Sequence, residues 1–306
     1  MIYTVTFSPA LDYSMWFDQV NIGGLNRTVK TRFRPGGKGI NVSIVLKNLG
    51  FESICLGFVS GFVGEELIRR MEQMGLNQDF IWMKDGCSRI NVKVKAAEET
   101  ELNASGPVVT QEAMKQLRDK INGLRKGDVL ILSGNPSVGI RDTIYGDILQ
   151  NIANRGINTV VDASGSVLAH ALQWKPYFIK PNLAELESLE HRKLRTENEI
   201  IEAAEKLRKR GAERILVSMG EKGAMLLSDE GVYRCEVPAG KLIDSTGAGD
   251  SMVAAFLVKK AAGCSDEECL RYCTACGSAS AYSYELADAT SIMEMYLCTP
   301  KAKKIK

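Results

Sequence analysis

No stretch of this 306-residue chain approaches the roughly 20 consecutive apolar residues that a bilayer-spanning helix requires, so no membrane partner is expected. The apolar opening Met1–Phe7 has no basic region before it and no cleavage site after it, and its alternation suits a first strand better than a secretory leader. A cytoplasmic location follows as the expectation. An excess of either charge is also lacking: 39 Lys and Arg face 37 Asp and Glu, a formal charge of +2. The only sustained basic run is the Lys301–Lys306 tail, read as a solvated, frayed end, and without another the sequence predicts no nucleic-acid surface. Repeats, linkers and low-complexity segments are absent, as is a Walker A sequence, which sets aside the P-loop class.

Cysteine is present but not in a disulfide pattern. Eight cysteines in an ordinary soluble chain of this length read as reduced thiols. Cys264, Cys269, Cys273 and Cys276 invite a metal reading, yet their spacing matches zinc ribbons poorly. Cys269, Cys273 and Cys276 fall at i, i+4 and i+7 on one helical face, which cannot wrap a tetrahedral ion, and small buried hydrophobes are the expected role.

Strand-like runs at Met1–Phe7, Ser53–Phe58, Val129–Ser133, Thr159–Asp162, Tyr177–Lys180 and Arg214–Ser218 alternate with helical patterns such as Gln111–Leu124 and Glu197–Arg210. That order predicts an α/β fold, a mostly parallel sheet with helices on both faces and its chemistry at the strand carboxyl ends. Ser133, Asp162, Lys180, Asn182 and Ser218 stand there. Asp12–Arg34 and Arg89–Asn103 depart from the rhythm, with period-2 alternation, and read as a small antiparallel sheet. Within it Met15-Trp16-Phe17 is either an exposed patch or packed against neighbouring strands.

The most informative stretch is Asp244–Ser251, DSTGAGDS, which runs into the apolar stretch Met252–Ala262. A glycine-rich turn opening a helix can present the N–H groups of Gly247, Ala248 and Gly249 to phosphate oxygens at the positive end of the helix dipole. Asp250 beside that anion cannot bind it. A carboxylate there is suited to accept a proton from a hydroxyl attacking phosphorus, although an ordinary glycine-capped turn gives the same letters. A second glycine turn, Pro35-Gly36-Gly37-Lys38-Gly39-Ile40-Asn41, again precedes a helical pattern. Asp12 closes the run TVTFSPALD; its carboxylate, and the amide of Asn41, are polyol-reading groups.

With PALD, PGGKGIN, SRINVK, ETELN, LSGNPS, KPNLAE, VSMGEKGA and DSTGAGDS in order along nearly its whole length, the chain resembles the PfkB-type sugar kinases of the ribokinase superfamily. Ser8 departs from the pattern, standing where asparagine is usual. The resemblance implies one ribokinase-like kinase domain over residues 1–306, with the small sheet as a β lid over the sugar and a homodimer formed through it. It implies ATP-dependent, Mg²⁺-requiring phosphorylation of fructose 1-phosphate to fructose 1,6-bisphosphate, with tagatose-6-phosphate kinase chemistry as the alternative. A non-catalytic sugar-phosphate sensor is a third reading, but such a protein would have lost the base or the glycines.

Residue by residue, the resemblance makes Asp250 the general base and Gly247, Ala248 and Gly249 the anion hole. Asp12, Gly36, Gly37, Asn41 and Ser133 would meet the sugar, and Arg27, Lys38 and Arg89 its phosphate. Lys180, Asn182, Ser218, Gly220, Glu221 and Gly223 would join Gly247 and Gly249 at the nucleotide. Asn182 and Glu185 would organise Mg²⁺, mainly through water; a helix-capping pair is the competing reading of those two and is compatible with it.

Overall fold

In a computed structural model, which describes residues 1–137 and 139–306, the strands are β1 (Ile2–Thr6), β2 (Ala10–Trp16), β3 (Lys30–Gly36), β4 (Ser53–Val59), β5 (Asn77–Gln78), β6 (Ile81–Trp82), β7 (Arg89–Lys95), β8 (Glu99–Asn103), β9 (Val129–Ser133), β10 (Asn158–Asp162), β11 (Phe178–Ile179), β12 (Ile215–Ser218), β13 (Ala224–Ser228), β14 (Gly231–Cys235) and β15 (Lys303–Lys304). The large sheet runs β15-β14-β13-β12-β11-β10-β9-β1-β4-β5 and is parallel from β12 to β5, with antiparallel β13, β14 and β15 at one edge.

Strand alternation explains why both faces are covered. Leu130 and Leu132 of β9, and Ile215 and Val217 of β12, point to one core, whereas Ile131 and Leu216 between them point to the other. The first core lies under α3 (Gln111–Asn122), α4 (Ile144–Ile152), α5 (Gly165–Ala171), α6 (Leu183–Glu190) and α7 (Glu197–Lys209). The second lies under α1 (Lys38–Asn48), α2 (Gly61–Gln73), α8 (Ala248–Ala261), α9 (Asp266–Ala281) and α10 (Ala289–Cys298). Phe256 of α8 stacks on Phe178 of β11 at 3.8 Å between ring centroids. That contact anchors the helix whose first turn carries Asp250.

Cys269, Cys273 and Cys276 are wholly buried in this second core, and the Cys273 thiol donates to the Met252 carbonyl at 3.4 Å. Burial pushes their thiols above the ordinary range, so they behave as packing groups. The tail differs from expectation: Lys303 and Lys304 pair with Arg234 and Tyr233 as an edge strand, and Lys306 O accepts from Val232 N at 3.0 Å. Unpaired backbone groups on β14 give even a lysine-rich segment a reason to order.

The small sheet runs β3-β2-β7-β8, antiparallel in its outer pairs and parallel between β2 and β7. Register puts Asp12, Ser14 and Trp16 level with Asn91, Lys93 and Lys95 on one face, and Tyr13 and Met15 level with Phe33, Val92 and Val94 on the other. Met15-Trp16-Phe17 is thereby divided. Trp16 packs edge-on against Tyr284 at 6.2 Å, whereas Met15 belongs to the outer apolar face. No helix among the described residues is long and apolar enough to cross a membrane.

Candidate active site

A cavity of about 910 Å³ opens between the lid's polar face and the carboxyl ends of the parallel strands. The first turn of α8 forms part of its wall. Gly247 caps that helix at φ 79°, a left-handed conformation natural only to glycine, and a Cβ there would meet Leu286 Cδ2 at 2.4 Å. The Ala248 N–H closes onto Ser245 O at 3.2 Å, so the amides left without a protein acceptor among the described residues include Gly247 and Gly249, not Ala248. A Cβ on Gly249 would meet Lys180 Nζ at 2.8 Å, which places that ammonium directly over the turn. Backbone donors and a lysine thus converge on one spot, suited to a phosphoryl group.

Asp250, 6% exposed, lies in the same turn and accepts a hydrogen bond from Asn41 Nδ2 at 2.8 Å. Burial first, then the nearby Asp162 carboxylate, pushes its carboxyl up to about 6, against the opposing pull of Lys38, Asn41 and Lys180. Asp162, at the end of β10, is held below the ordinary range: its burial favours the neutral acid, but Lys180 and Lys38 outweigh that. Lys38 Nζ lies 3.3 Å from Asp162 Oδ1 and 3.8 Å from Glu185 Oε1, and Lys180 Nζ lies 3.5 Å from Asp162 Oδ1. Two carboxylates of opposite tendency therefore share two lysines.

The lid supplies the other wall. Asp12 is buried at 5% exposure and accepts from Asn91 Nδ2 at 3.0 Å. Burial raises its carboxyl, opposed by Lys93, Asn91, Arg34 and Arg89. Gly36 explains that placement, because a Cβ there would stand 2.4 Å from the Asp12 carboxyl, and Gly37 at φ 126° fits against Thr6 in the same way. Arg89 lines the cavity and donates Nε to the Ser8 carbonyl at 3.0 Å, so the unusual residue at position 8 acts here through its backbone.

The structure brings together Asp12, Gly37, Lys38, Asn41, Arg89, Lys180, Asn182, Ser218, Gly220, Glu221, Gly223, Gly247, Ala248, Gly249 and Asp250 around the one cavity. Others stand apart. Arg27 sits on an exposed loop between β2 and β3 and does not line the cavity. Ser133 is buried behind the site, level with Asp162, with its Oγ unpartnered. Lys38 points to the Asp250 end of the cavity, where Asp162 and Glu185 draw its long side chain.

Asn182 and Glu185 form a full capping box at the start of α6: Asn182 Oδ1 accepts from Glu185 N and Glu185 Oε2 from Asn182 N, each at 2.8 Å. That leaves Glu185 Oε1 and the unpartnered Asp162 Oδ2 near Lys38. Among the described residues no three acidic, histidine or cysteine side chains gather as a metal cage. These groups fit a hydrated Mg²⁺ shared with phosphate oxygens and do not form a dedicated all-protein site.

Sequence reasoning placed Asp162 at a strand end without a specific role, and assigned none to Asn91, Lys93, Glu101 or Thr246, nor to the apolar walls Val237, Leu242, Met252 and Tyr282. The signal for the lid residues was the polar half of the alternation in SRINVK; for the walls it was the small residues Gly277, Ser278 and Ala281 that leave room on α9.

A mainly parallel α/β sheet with this lid and an anion-holding turn beside a buried carboxylate is the architecture of a phosphotransferase that acts on a hydroxyl acceptor. The family model for pfkB family carbohydrate kinases matches residues 9–292, and the chain belongs to that family. It is 38% identical over 295 residues to 1-phosphofructokinase from Bacillus subtilis, covering 96% of this chain and 97% of that one. It is 34% identical over 293 residues to D-tagatose-1-phosphate kinase from Bacillus licheniformis, covering 95% and 96%. The crystal structure of phosphofructokinase-2 from Escherichia coli in complex with substrates and products superposes with a TM-score of 0.92 at 29% identity, covering 97% of this chain and 98% of that one. The chain is a phosphosugar kinase of this family, whose members use ATP as donor.

Proposed function

We propose that the protein transfers the γ-phosphoryl group of ATP to the free primary hydroxyl of fructose 1-phosphate, giving fructose 1,6-bisphosphate, with Asp250 as general base. The observation that carries this reading is the placement of Asp250: a buried carboxylate, raised to about 6, sits in the same helical turn as the free Gly247 and Gly249 amides and faces a lid lined by Asp12 and Asn91. Asp250 takes the hydroxyl proton as the oxygen attacks phosphorus, while Gly247, Gly249 and Lys180 stabilise charge on the transferring group. Lys38 and Lys180, held by Asp162, flank that group. Glu185, Asn182 and Asp162 would hold Mg²⁺, largely through water, and the ion would neutralise phosphate charge when bound. Arg89 lines the acceptor end, with Lys93 beside it on β7.

Two relatives carry names that place the acceptor's phosphate on C1. D-tagatose 1-phosphate, the C4 epimer, is therefore the second reading, ahead of tagatose 6-phosphate. Reversing the sugar exchanges its ring hydroxyls and leaves Asp12 and Asn41 unpaired, a cost of about 1–3 kcal/mol for each buried group. Initial rates with ATP and Mg²⁺ across fructose 1-phosphate, fructose 6-phosphate and the two tagatose phosphates test the assignment. Fructose 1-phosphate should lead both 6-phosphates in kcat/KM by about 10²-fold. A preference for tagatose 1-phosphate would reassign C4 recognition, and a preference for either 6-phosphate would overturn the orientation.

We also infer a homodimer in which the lids of two copies meet through their outer faces, where Tyr13 and Phe33 stack at 4.1 Å and Leu102 is 57% exposed. That face carries Tyr13, Phe33, Val92 and Leu102, and α2 reaches its β3 edge, where Arg70 lies 5.5 Å over the Phe33 ring.

A further inference from the structure

β7 directs Asn91, Lys93 and Lys95 toward the body of the protein at alternate positions, and each reaches a different part of the site. Asn91 binds Asp12. Lys93 Nζ, on a side chain only 7% exposed, donates to Thr246 Oγ1 at 2.9 Å and to Glu101 Oε1 at 3.1 Å. Lys95 Nζ stands 3.5 Å from Asp244 Oδ2, and Asp244 Oδ1 in turn accepts the Thr246 N–H at 2.9 Å. The lid is therefore latched to residues 244 and 246 at two successive inward positions.

Thr246 immediately precedes Gly247. Because the peptide is planar, the backbone torsions of Thr246 aim the Gly247 N–H, the first free donor of the anion hole. Thr246 is pinned twice, at its amide by Asp244 and at its hydroxyl by Lys93. A buried ammonium is a costly way to make a contact that a neutral donor could supply. Its charge is also the strongest one acting to lower the Asp12 carboxyl. One side chain thus touches the turn that would hold the transferring phosphate and acts on the carboxylate that would hold the acceptor.

We propose that Lys93 is a positioning residue that couples acceptor binding under the lid to the alignment of the anion hole, acting through Thr246. With the acceptor seated at Asp12 and Asn91, β7 stays closed and Lys93 holds the Thr246 hydroxyl; lifting the lid parts both lysines from the turn and frees the Gly247 amide to reorient. The inference rests on the phosphosugar-kinase reading. A purely structural pin would also hold the lid, but its loss would not appear selectively in turnover.

The test uses Lys93→Met, Thr246→Val, the double variant and Thr246→Ser in the intact protein, with melting temperatures and initial rates on fructose 1-phosphate and ATP. Each of the first two should lower kcat about 10-fold or more while the KM for ATP stays within about 2-fold, and the double variant should be no slower than the slower single one. Thr246→Ser keeps the hydroxyl and should turn over as the unsubstituted protein does. Multiplying losses in the double variant, or equal rates for Thr246→Val and Thr246→Ser, would overturn the coupling. Should Lys93→Met fail to fold, the Val and Ser pair still decides. If the unsubstituted protein phosphorylates no sugar phosphate, the kinase reading falls and this inference with it; additive losses in an active enzyme sink this inference alone.

Discussion

The Asn41 amide of α1 donates to the Asp250 carboxylate of α8 across 2.8 Å, joining the Pro35–Asn41 glycine turn to the one that opens α8. Among the described residues neither side chain has another hydrogen-bond partner, and Asn41 Oδ1 is buried and unpaired. The second N–H of that amide can donate to a hydroxyl oxygen while the other carboxylate oxygen accepts its proton, so the acceptor alcohol is expected to replace water between them.

Asp250→Asn should leave both KM values within about 3-fold and lower kcat by about 10²-fold or more, since the amide keeps the shape and loses the proton acceptor. In the unsubstituted enzyme the carboxyl must be ionised to act. With its titration pushed up to about 6 by burial and by Asp162, kcat/KM should fall as pH drops through that value and level off above it. A profile flat between about pH 5 and 8 would remove Asp250 from the role of base.

Asn41→Leu gives a separate handle on the same group. The Asn41 hydrogen bond favours the ionised form of Asp250, so its loss leaves burial less opposed and moves the acid limb of the pH profile toward neutrality. The KM for phosphosugar should rise about 10-fold as a polar partner disappears. An acid limb that stays in place, or moves to lower pH, would show that the 2.8 Å contact does not tune the base.

Lys38 and Arg89 were read from the sequence as one set of cations, and the structure separates them. Arg89→Met should raise the KM for phosphosugar about 10-fold or more with little effect on ATP, because Arg89 stands at the lid end near Asp12. Lys38→Met should act chiefly on kcat, because its ammonium lies with Asp162 and Glu185 beside the transfer site. Full kinetic constants for both variants decide it; the same pattern in each would return the two lysine and arginine side chains to a single role.

The difference between those two residues shows what was legible in the chain. Strand and helix order, the glycine turns and the lid segments all follow from short-range alternation and backbone permissiveness, and these are local properties. Where Lys38 points is not local: Asp162 draws it, from a strand 124 positions further on. Asp162 itself showed only as a strand-end residue, because its importance lies in the two lysines that meet it from different turns. Thr246 and Lys93 each looked unremarkable for the same reason, being separated by 153 positions and joined only by folding. The ordered tail failed differently, since charge predicted solvation while an open strand edge offered backbone pairing.

The outer face of the lid gives the last prediction. Phe33 is 38% exposed and Leu102 57%, on a sheet whose inner face carries Asp12, Asn91 and Lys93 into the site. Lysine at 33 and glutamate at 102 would each place a charge on a face that two copies would bury, and an unpaired charge in such an interface costs several kcal/mol, enough to shift association by orders of magnitude. Light scattering should therefore report a dimer for the unsubstituted protein and a monomer for Phe33→Lys/Leu102→Glu, with the melting transition of the monomer still cooperative. Because β2 and β7 would lose their covering partner, the monomer should also show a higher KM for phosphosugar, Asp12 and Asn91 being carried on those strands. An unsubstituted protein that is monomeric at about 50 μM, well above the Kd of a stable dimer, would show that this face is left open and that the lid closes without help from a second copy.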